Sequence, residues 1–252
     1  RNTRLTPSKI LSALEAGAKG AVEVAIACAT AGIVIGVLTL TGLGMRFNSV
    51  ILAVAGESLP LTLFLTMCTS IILGMGLPTV AAYIIQAALT VPALINLGVE
   101  PLAAHLFIFY FAIISAITPP VALAAYAAGG VAGADPMKTA FQACKLGIAA
   151  FIVPYMFVYA PSLLAIGGLS DIIIATVTAL TGVLALAAFS VGYFIRKARV
   201  PERIIFLGAA LALIKPGLVT DVIGLGMLVL AILMQIFLFK RDVGAGEAKF
   251  NG

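Results

Sequence analysis

Tryptophan is absent from this chain, histidine occurs once, cysteine three times, and charged residues make up only 10% of it. Each scarcity removes a class of function. Soluble domains carry roughly 25% charged residues, so this is not an ordinary globular domain. The lone His105, and cysteines with no CxxC spacing, leave no pattern for a metal centre or a disulfide framework. Cys28, Cys68 and Cys144 lie within or beside apolar segments and read as small hydrophobes. His105 reads as a hydrogen-bonded packing residue. Neither HExxH nor GxSxG occurs, and Asp171 and Asp221 stand at the starts of apolar segments. A membrane enzyme such as an intramembrane protease needs a nucleophile with a base, paired aspartates or a metal motif. The chain is read as no enzyme. Between Arg46 and Lys138 there is no Lys or Arg, and no acidic residue falls at mid-depth in residues 59 to 95 or 101 to 130. That argues against a carboxylate proton relay there.

What fills the chain is apolar. Of 252 residues 62% are hydrophobic, and the mean hydropathy is +1.19. This composition specifies an all-α integral membrane protein, with the lipid bilayer as its solvent. The net charge of +5 comes from basic residues at the ends of apolar segments. Arg1, Arg4, Lys9 and Lys19 form one group, Arg196, Lys197, Arg199 and Arg203 a second, Lys240 and Arg241 a third. That is the positive-inside pattern rather than a nucleic-acid surface. The first residue is Arg1 and no signal peptide is visible, so the chain is expected to be part of a longer polypeptide.

Residues 1–19 read as an amphipathic interfacial arm, with a helix start at Thr6-Pro7. Residues 20–57 hold the first span, 20 to 43, about 36 Å as helix, and an external loop from Arg46 to Glu57. Glu23 and Glu57 fall near segment ends. The Gly32 to Gly36 spacing reads as helix packing. Residues 58–134 form the central unit. Two apolar arms, 59 to 73 and 79 to 95, flank the uncharged connector Gly74-Met75-Gly76-Leu77-Pro78-Thr79. Each arm is short for a core of roughly 30 Å, so 58–96 reads as a re-entrant hairpin, with two tightly joined full spans as the alternative. Residues 101–130, about 45 Å if helical throughout, read as one broken helix. Residues 135–166 form an arm helix and span, with Asp135 as N-cap, Pro136 at the first position, and kinks at Pro154 and Pro161. Residues 167–243 hold the C-terminal spans. One runs 171 to 195 with Asp171 as N-cap, and a short helix runs 202 to 214. A turn at Lys215-Pro216-Gly217 leads to a last span that starts near Asp221 and ends at Phe239. Residues 244–252 read as a disordered polar tail. The charges put the N-terminal arm, residues 135–145, the 196–203 group and the C-terminus on the cytoplasmic side.

The two breaks, Gly74 to Thr79 and Ser115-Ala116-Ile117-Thr118-Pro119-Pro120, sit where a lipid-facing helix should run unbroken. Unpaired backbone in hydrocarbon costs several kcal/mol per group, so such breaks face protein or a polar cavity. Paired breaks in transporters mark ion and substrate sites. Proline lacks an amide N–H and releases the carbonyl four residues earlier: Ser115 for Pro119, Ala116 for Pro120, Gly74 for Pro78. Hard cations take oxygen ligands, and a helix C-terminal end carries partial negative charge. Gly74, Gly76, Thr79, Ser115, Ala116 and Thr118 are the candidate ion-binding residues, for Na⁺ without a carboxylate. The N-terminal ends of the second half-helices, near Thr79 and Val121, suit an anionic group. Pro78, Thr79, Gln86, Pro119, Pro120 and Val121 are the candidate substrate contacts. Gln86 reads either as interhelical glue or as such a contact.

The run from Gly74 to Pro136, containing GMGLPT, EPLAAHLF and TPPVALAAY, closely resembles the large membrane subunit of tripartite ATP-independent periplasmic (TRAP) transporters. It is most similar to the fused permeases of the TAXI branch, and the resemblance covers about residues 5 to 165. It implies a Na⁺-coupled, elevator-type importer of organic anions such as carboxylates, in the bacterial inner membrane. The family is built from two inverted repeats, each with a hairpin and a broken helix. A periplasmic binding protein delivers the substrate, and the only small cofactor implied is the coupling ion. By this resemblance Gly74 to Thr79 is the second-repeat hairpin tip and Ser115 to Pro120 the second-repeat break. The first repeat and the small membrane subunit, separate or fused, have no counterpart in these residues, so the chain reads as the C-terminal half of a permease. A channel or a structural membrane subunit is the alternative.

Overall fold

The computed structural model describes residues 6–56, 58–214 and 217–250, all in helices and their connections; among them there is no strand, only a single bridge between Tyr193 and Lys197. Arg1, Arg4, Glu57, Lys215 and Pro216 lie outside the described residues, as do the side chains of Glu23, Lys240 and Arg241.

α1 runs from Pro7 to Thr41 without interruption. Interfacial arm and first span, expected as two pieces, are one helix. No proline falls between Pro7 and Thr41, and Gly17 and Gly20 each cost only about 1 kcal/mol in a helix interior. Lys19 pairs with Glu15 one turn away at 2.7 Å, on an exposed face. The expected external loop is mostly α2, Leu43–Ala55. Gly42 and Gly56, at φ of 66° and 57°, bracket it, and the apolar run between Arg46 and Ala55 holds no breaker.

α3 (Leu59–Gly74) and α4 (Thr79–Asn96) form a helical hairpin; Pro92 stays inside α4, and α4, expected to be short for a bilayer, is long and apolar enough to cross one. α5 (Pro101–Ile114) passes into a 3₁₀ turn at Ser115–Ile117, and helix resumes as α6, Leu123–Ala132. α7 (Pro136–Leu146) opens as expected, with the Asp135 carboxylate accepting from the Lys138 amide at 2.8 Å. α8 is Ile148–Tyr159. α7 and α8 meet at 40° across Gly147, and Pro154 is buried inside α8, which stays helical through it. Pro161 opens a separate 3₁₀ turn, Pro161–Leu164, so this span stops at Tyr159 and not near residue 166.

α9 spans Leu169–Val191 with Gly168 at its N-cap. Asp171 lies inside the first turn, where a carboxylate favours the positive end of the helix dipole without capping it. α10 (Val200–Ile214) and α11 (Leu218–Phe250) complete the chain. The α11 backbone stays helical past Gly244, where a disordered tail was expected. Extending an existing helix gains one hydrogen bond per residue fixed, whereas starting one is costly.

α4, α9 and residues Val219–Phe237 of α11 are each long and apolar enough to cross a bilayer, and the bent α7–α8 pair together makes a fourth such unit. The chain is an all-α membrane protein. Two cores hold it. The first surrounds α5, whose Phe107 and Phe111 are fully buried among Leu63 of α3, Leu94 of α4 and Tyr155 of α8. Phe107 meets Phe111 and Tyr155 edge-on, at 4.9 and 5.1 Å between centroids. The second joins α9, α10 and α11 through Leu186, Phe206, Ala209, Ala210 and Ala231, with Ile148 and Ile152 of α8 against it. Close approach here depends on glycine: a Cβ on Gly182 or Gly224 would come within 3.1 or 2.6 Å of the Leu213 side chain. Gly32 and Gly36, expected at a packing seam, instead have nothing within 4 Å.

Candidate functional site

The hairpin tip and the break after α5 touch. Gly74, last residue of α3, packs so closely on Ser115 that an added Cβ would stand 2.6 Å from Ser115 Oγ and 2.9 Å from its Cβ. Only glycine fits there. Beyond it the connector turns through Gly76 at φ +80°, a left-handed conformation that disfavours any side chain. Met75 donates to Ile72 O and Leu77 to Gly74 O, which ends α3, and Thr79 begins α4.

The other break is built from local bonds. Ser115 donates its hydroxyl to Ala112 O at 2.7 Å, and Thr118 to Ile114 O at 2.8 Å. Both hydroxyl protons are thus committed to backbone, which leaves the oxygen lone pairs as acceptors. Three carbonyls were expected to be free. Ser115 O accepts from the Thr118 amide at 3.2 Å and Gly74 O from Leu77 at 3.4 Å, because tight turns replace the missing helical donors. The Ala116 carbonyl accepts no hydrogen bond among the described residues. The Pro119–Pro120 peptide is cis, and Ala122, at φ 31°, is the N-cap of α6. Helix therefore resumes at Leu123. Val121, expected at the start of the second half-helix, lies within the break.

Residues outside the sequence-derived set brace this break. Tyr126 donates its hydroxyl to Pro120 O. Cys144 donates to Ile117 O at 3.2 Å, so this cysteine is a hydrogen-bond donor and not merely a small hydrophobe. A Cβ on Gly147 would meet Ile117 Cδ1 at 3.1 Å. The α7–α8 elbow thus rests on the break. No sequence pattern pointed to Cys144 or Gly147. Tyr126, a lone hydroxyl six residues beyond Pro120 in an alanine-rich helix, carried a faint signal.

Behind the tip the hairpin has a polar seam. Thr62, Thr66 and Ser70 recur every four residues on the buried face of α3, and Gln86 and Thr90 are buried on α4. Gln86 is fully buried and donates to Ser70 O at 3.1 Å. Its Nε2 joins the two hairpin arms, and its Oε1 has no hydrogen-bond partner among the described residues. Tyr83 of α4 and His105 of α5 share a hydrogen bond of 2.8 Å, the packing role expected of this histidine. Among the described residues no three His, Cys, Asp or Glu come together as metal ligands. Gly74, Ser115, Ala116 and Thr118 thus assemble at one junction of glycine, hydroxyls and carbonyls. Gly76 and Pro78 lie exposed in the connector and Thr79 opens α4.

Residues 1–172 match the family model for the tripartite ATP-independent periplasmic transporter, DctM component. Residues 172–232 match a domain of unknown function, DUF3394. The change of family falls within the first turn of α9, so both breaks belong to the first match and α9 to α11 carry the second. Nothing among the curated proteins or the solved structures matches.

Proposed function

As the chain belongs to the DctM family of tripartite ATP-independent periplasmic transporter components, transporters rather than enzymes, we propose that it carries one ion and substrate site of a Na⁺-coupled permease that imports organic anions. The observation that supports this most is the contact of Gly74 with Ser115, which joins the two breaks at one junction. Na⁺ binds there to oxygens supplied by Gly74, Gly76, Thr79, Ser115, Ala116 and Thr118, of which the Ala116 carbonyl has no competing donor. The junction is neutral, so an ion entering it adds one positive charge beside a second, anionic ligand, and charge attraction couples the two. The anion is a carboxylate, held by the N-terminal ends of α4 and α6 near Pro78, Thr79, Pro119, Pro120 and Val121. Gln86 holds the hairpin arms together through its Nε2, and its unpartnered Oε1 is a further substrate contact.

The permease works in the bacterial inner membrane with its C-terminus cytoplasmic, takes substrate from a periplasmic binding protein, and is completed by a first hairpin unit and the small membrane subunit. The hairpin enters from the periplasmic face and stops inside the membrane. Uptake by Thr118→Ala, and by Pro119→Ala combined with Pro120→Ala, tests the site. Both are expected to insert normally and to need more Na⁺ for half-maximal uptake. Wild-type Na⁺ dependence at wild-type expression would count against the ion site.

A further inference from the structure

The loop between α9 and α10 is built with unusual care. Gly192, at φ +74°, ends α9, and the chain folds back so that the Ala198 amide donates to Gly192 O at 2.9 Å. Gln235 of α11, fully buried, accepts from the amides of Ile195 and Arg196 at 3.2 and 3.1 Å. Its Nε2 donates to Glu202 at 3.1 Å, and Glu202 also accepts from the Arg199 amide at 2.7 Å and from the Arg196 guanidinium. Arg203 closes the end of α9 by donating to Phe189 O at 3.0 Å while lying over the Phe189 ring. One buried carboxylate thus neutralises Arg196 and pins the loop to two helices.

What this framework presents outward is not neutral. Lys197 and Arg199 are exposed, and neither side chain pairs with an acid among the described residues. Beside them Tyr193 and Phe194 are exposed to 58% and 42%, at the end of a membrane-length helix. Aromatic rings next to cations where a span ends fit the headgroup layer of a bilayer, with rings at the acyl boundary and cations on phosphate.

We propose that residues 193–199 form a binding site for the phosphate headgroup of anionic phospholipid, which assigns a role to part of the region matched only by a domain of unknown function. The fixed loop lowers the ordering cost of binding, since the Lys197 and Arg199 backbones are already held. Position favours lipid over a soluble phosphate compound, because the site abuts the end of α9.

Native mass spectrometry of the intact protein, titrated with tetraoleoyl cardiolipin and separately with dioleoyl phosphatidylcholine, tests this. The wild type is expected to bind cardiolipin at least about tenfold more tightly than phosphatidylcholine. At about fivefold per cation, Lys197→Gln with Arg199→Gln should weaken cardiolipin about twenty-fivefold and leave phosphatidylcholine unchanged. Lys197→Arg with Arg199→Lys should keep the preference. The proposal is overturned if the glutamine variant retains the preference, if the wild type has none, or if inorganic phosphate competes as well as cardiolipin does.

Discussion

A methyl group has no place at Gly74. The Ser115 side chain already fills the space, and Ser115 is itself buried and bonded to Ala112 O. Gly74→Ala should therefore force hairpin tip and break apart, at about 1–3 kcal/mol, the usual range for overpacking. Thermal unfolding in detergent reads the cost and uptake reads the functional loss. Gly36→Ala is the contrast. It has open space in the middle of α1 and should stabilise by about 0.5–1 kcal/mol, as alanine for glycine does in a helix. If Gly36→Ala were the costlier of the two, Gly36 would lie in a packed interface after all. Glu202→Ala belongs to the same scale: it strands the Arg196 guanidinium, the Arg199 amide and Gln235 together. Removing one partner of a buried pair costs about 3–5 kcal/mol. An unchanged melting temperature would show the network to be idle. At this scale the sequence was partly legible. A glycine or a proline pair announces a break, but nothing in a linear pattern says that Gly74 meets Ser115, or that Glu202, Gln235 and Arg196 converge from three separate places.

The helices themselves were easier to read, because length and apolar run decide them. The arms of the hairpin, the turn at Ser115 to Ile117 and the Asp135 cap all follow from breakers and caps visible in the chain. The segment from Arg46, expected as an external loop, is mostly helix between two left-handed glycines. Pro154 suggested a kink; helix α8 runs through it, and a 40° bend falls at Gly147, where an added Cβ would meet Ile117 Cδ1 at 3.1 Å. That clearance, set by a residue thirty positions away, is invisible in sequence. The re-entrant hairpin makes a prediction at this scale. α3 is about 24 Å long, short of a core of roughly 30 Å, while α4 alone is long enough to cross. With single cysteines in a cysteine-free background, Asn96→Cys should react with an impermeant reagent from the periplasmic side. Gly76→Cys should be shielded from the cytoplasmic side. Ready labelling of both from the cytoplasm would rule out the re-entrant arrangement.

The two cores largely follow the two family matches. The first, around Phe107 and Phe111, carries both breaks and lies within the DctM match. The second, around Leu186 and Phe206, joins the remaining three helices to α8 through Ile148 and Ile152, with Ser190 donating to Lys145 O at 2.5 Å. The C-terminal helices therefore rest on the α7–α8 elbow, and that elbow rests on the break at Ile117 through Cys144 and Gly147. If the junction of hairpin and broken helix is an ion and substrate site, transport must need the ion. The most direct measurement is uptake of a radiolabelled organic acid into proteoliposomes that hold the intact permease, with its binding protein outside, in the presence and absence of an inward Na⁺ gradient. The account predicts uptake only when gradient and binding protein are both present. Flux that persists without either would contradict it, and would make the two breaks the lining of a passive pore.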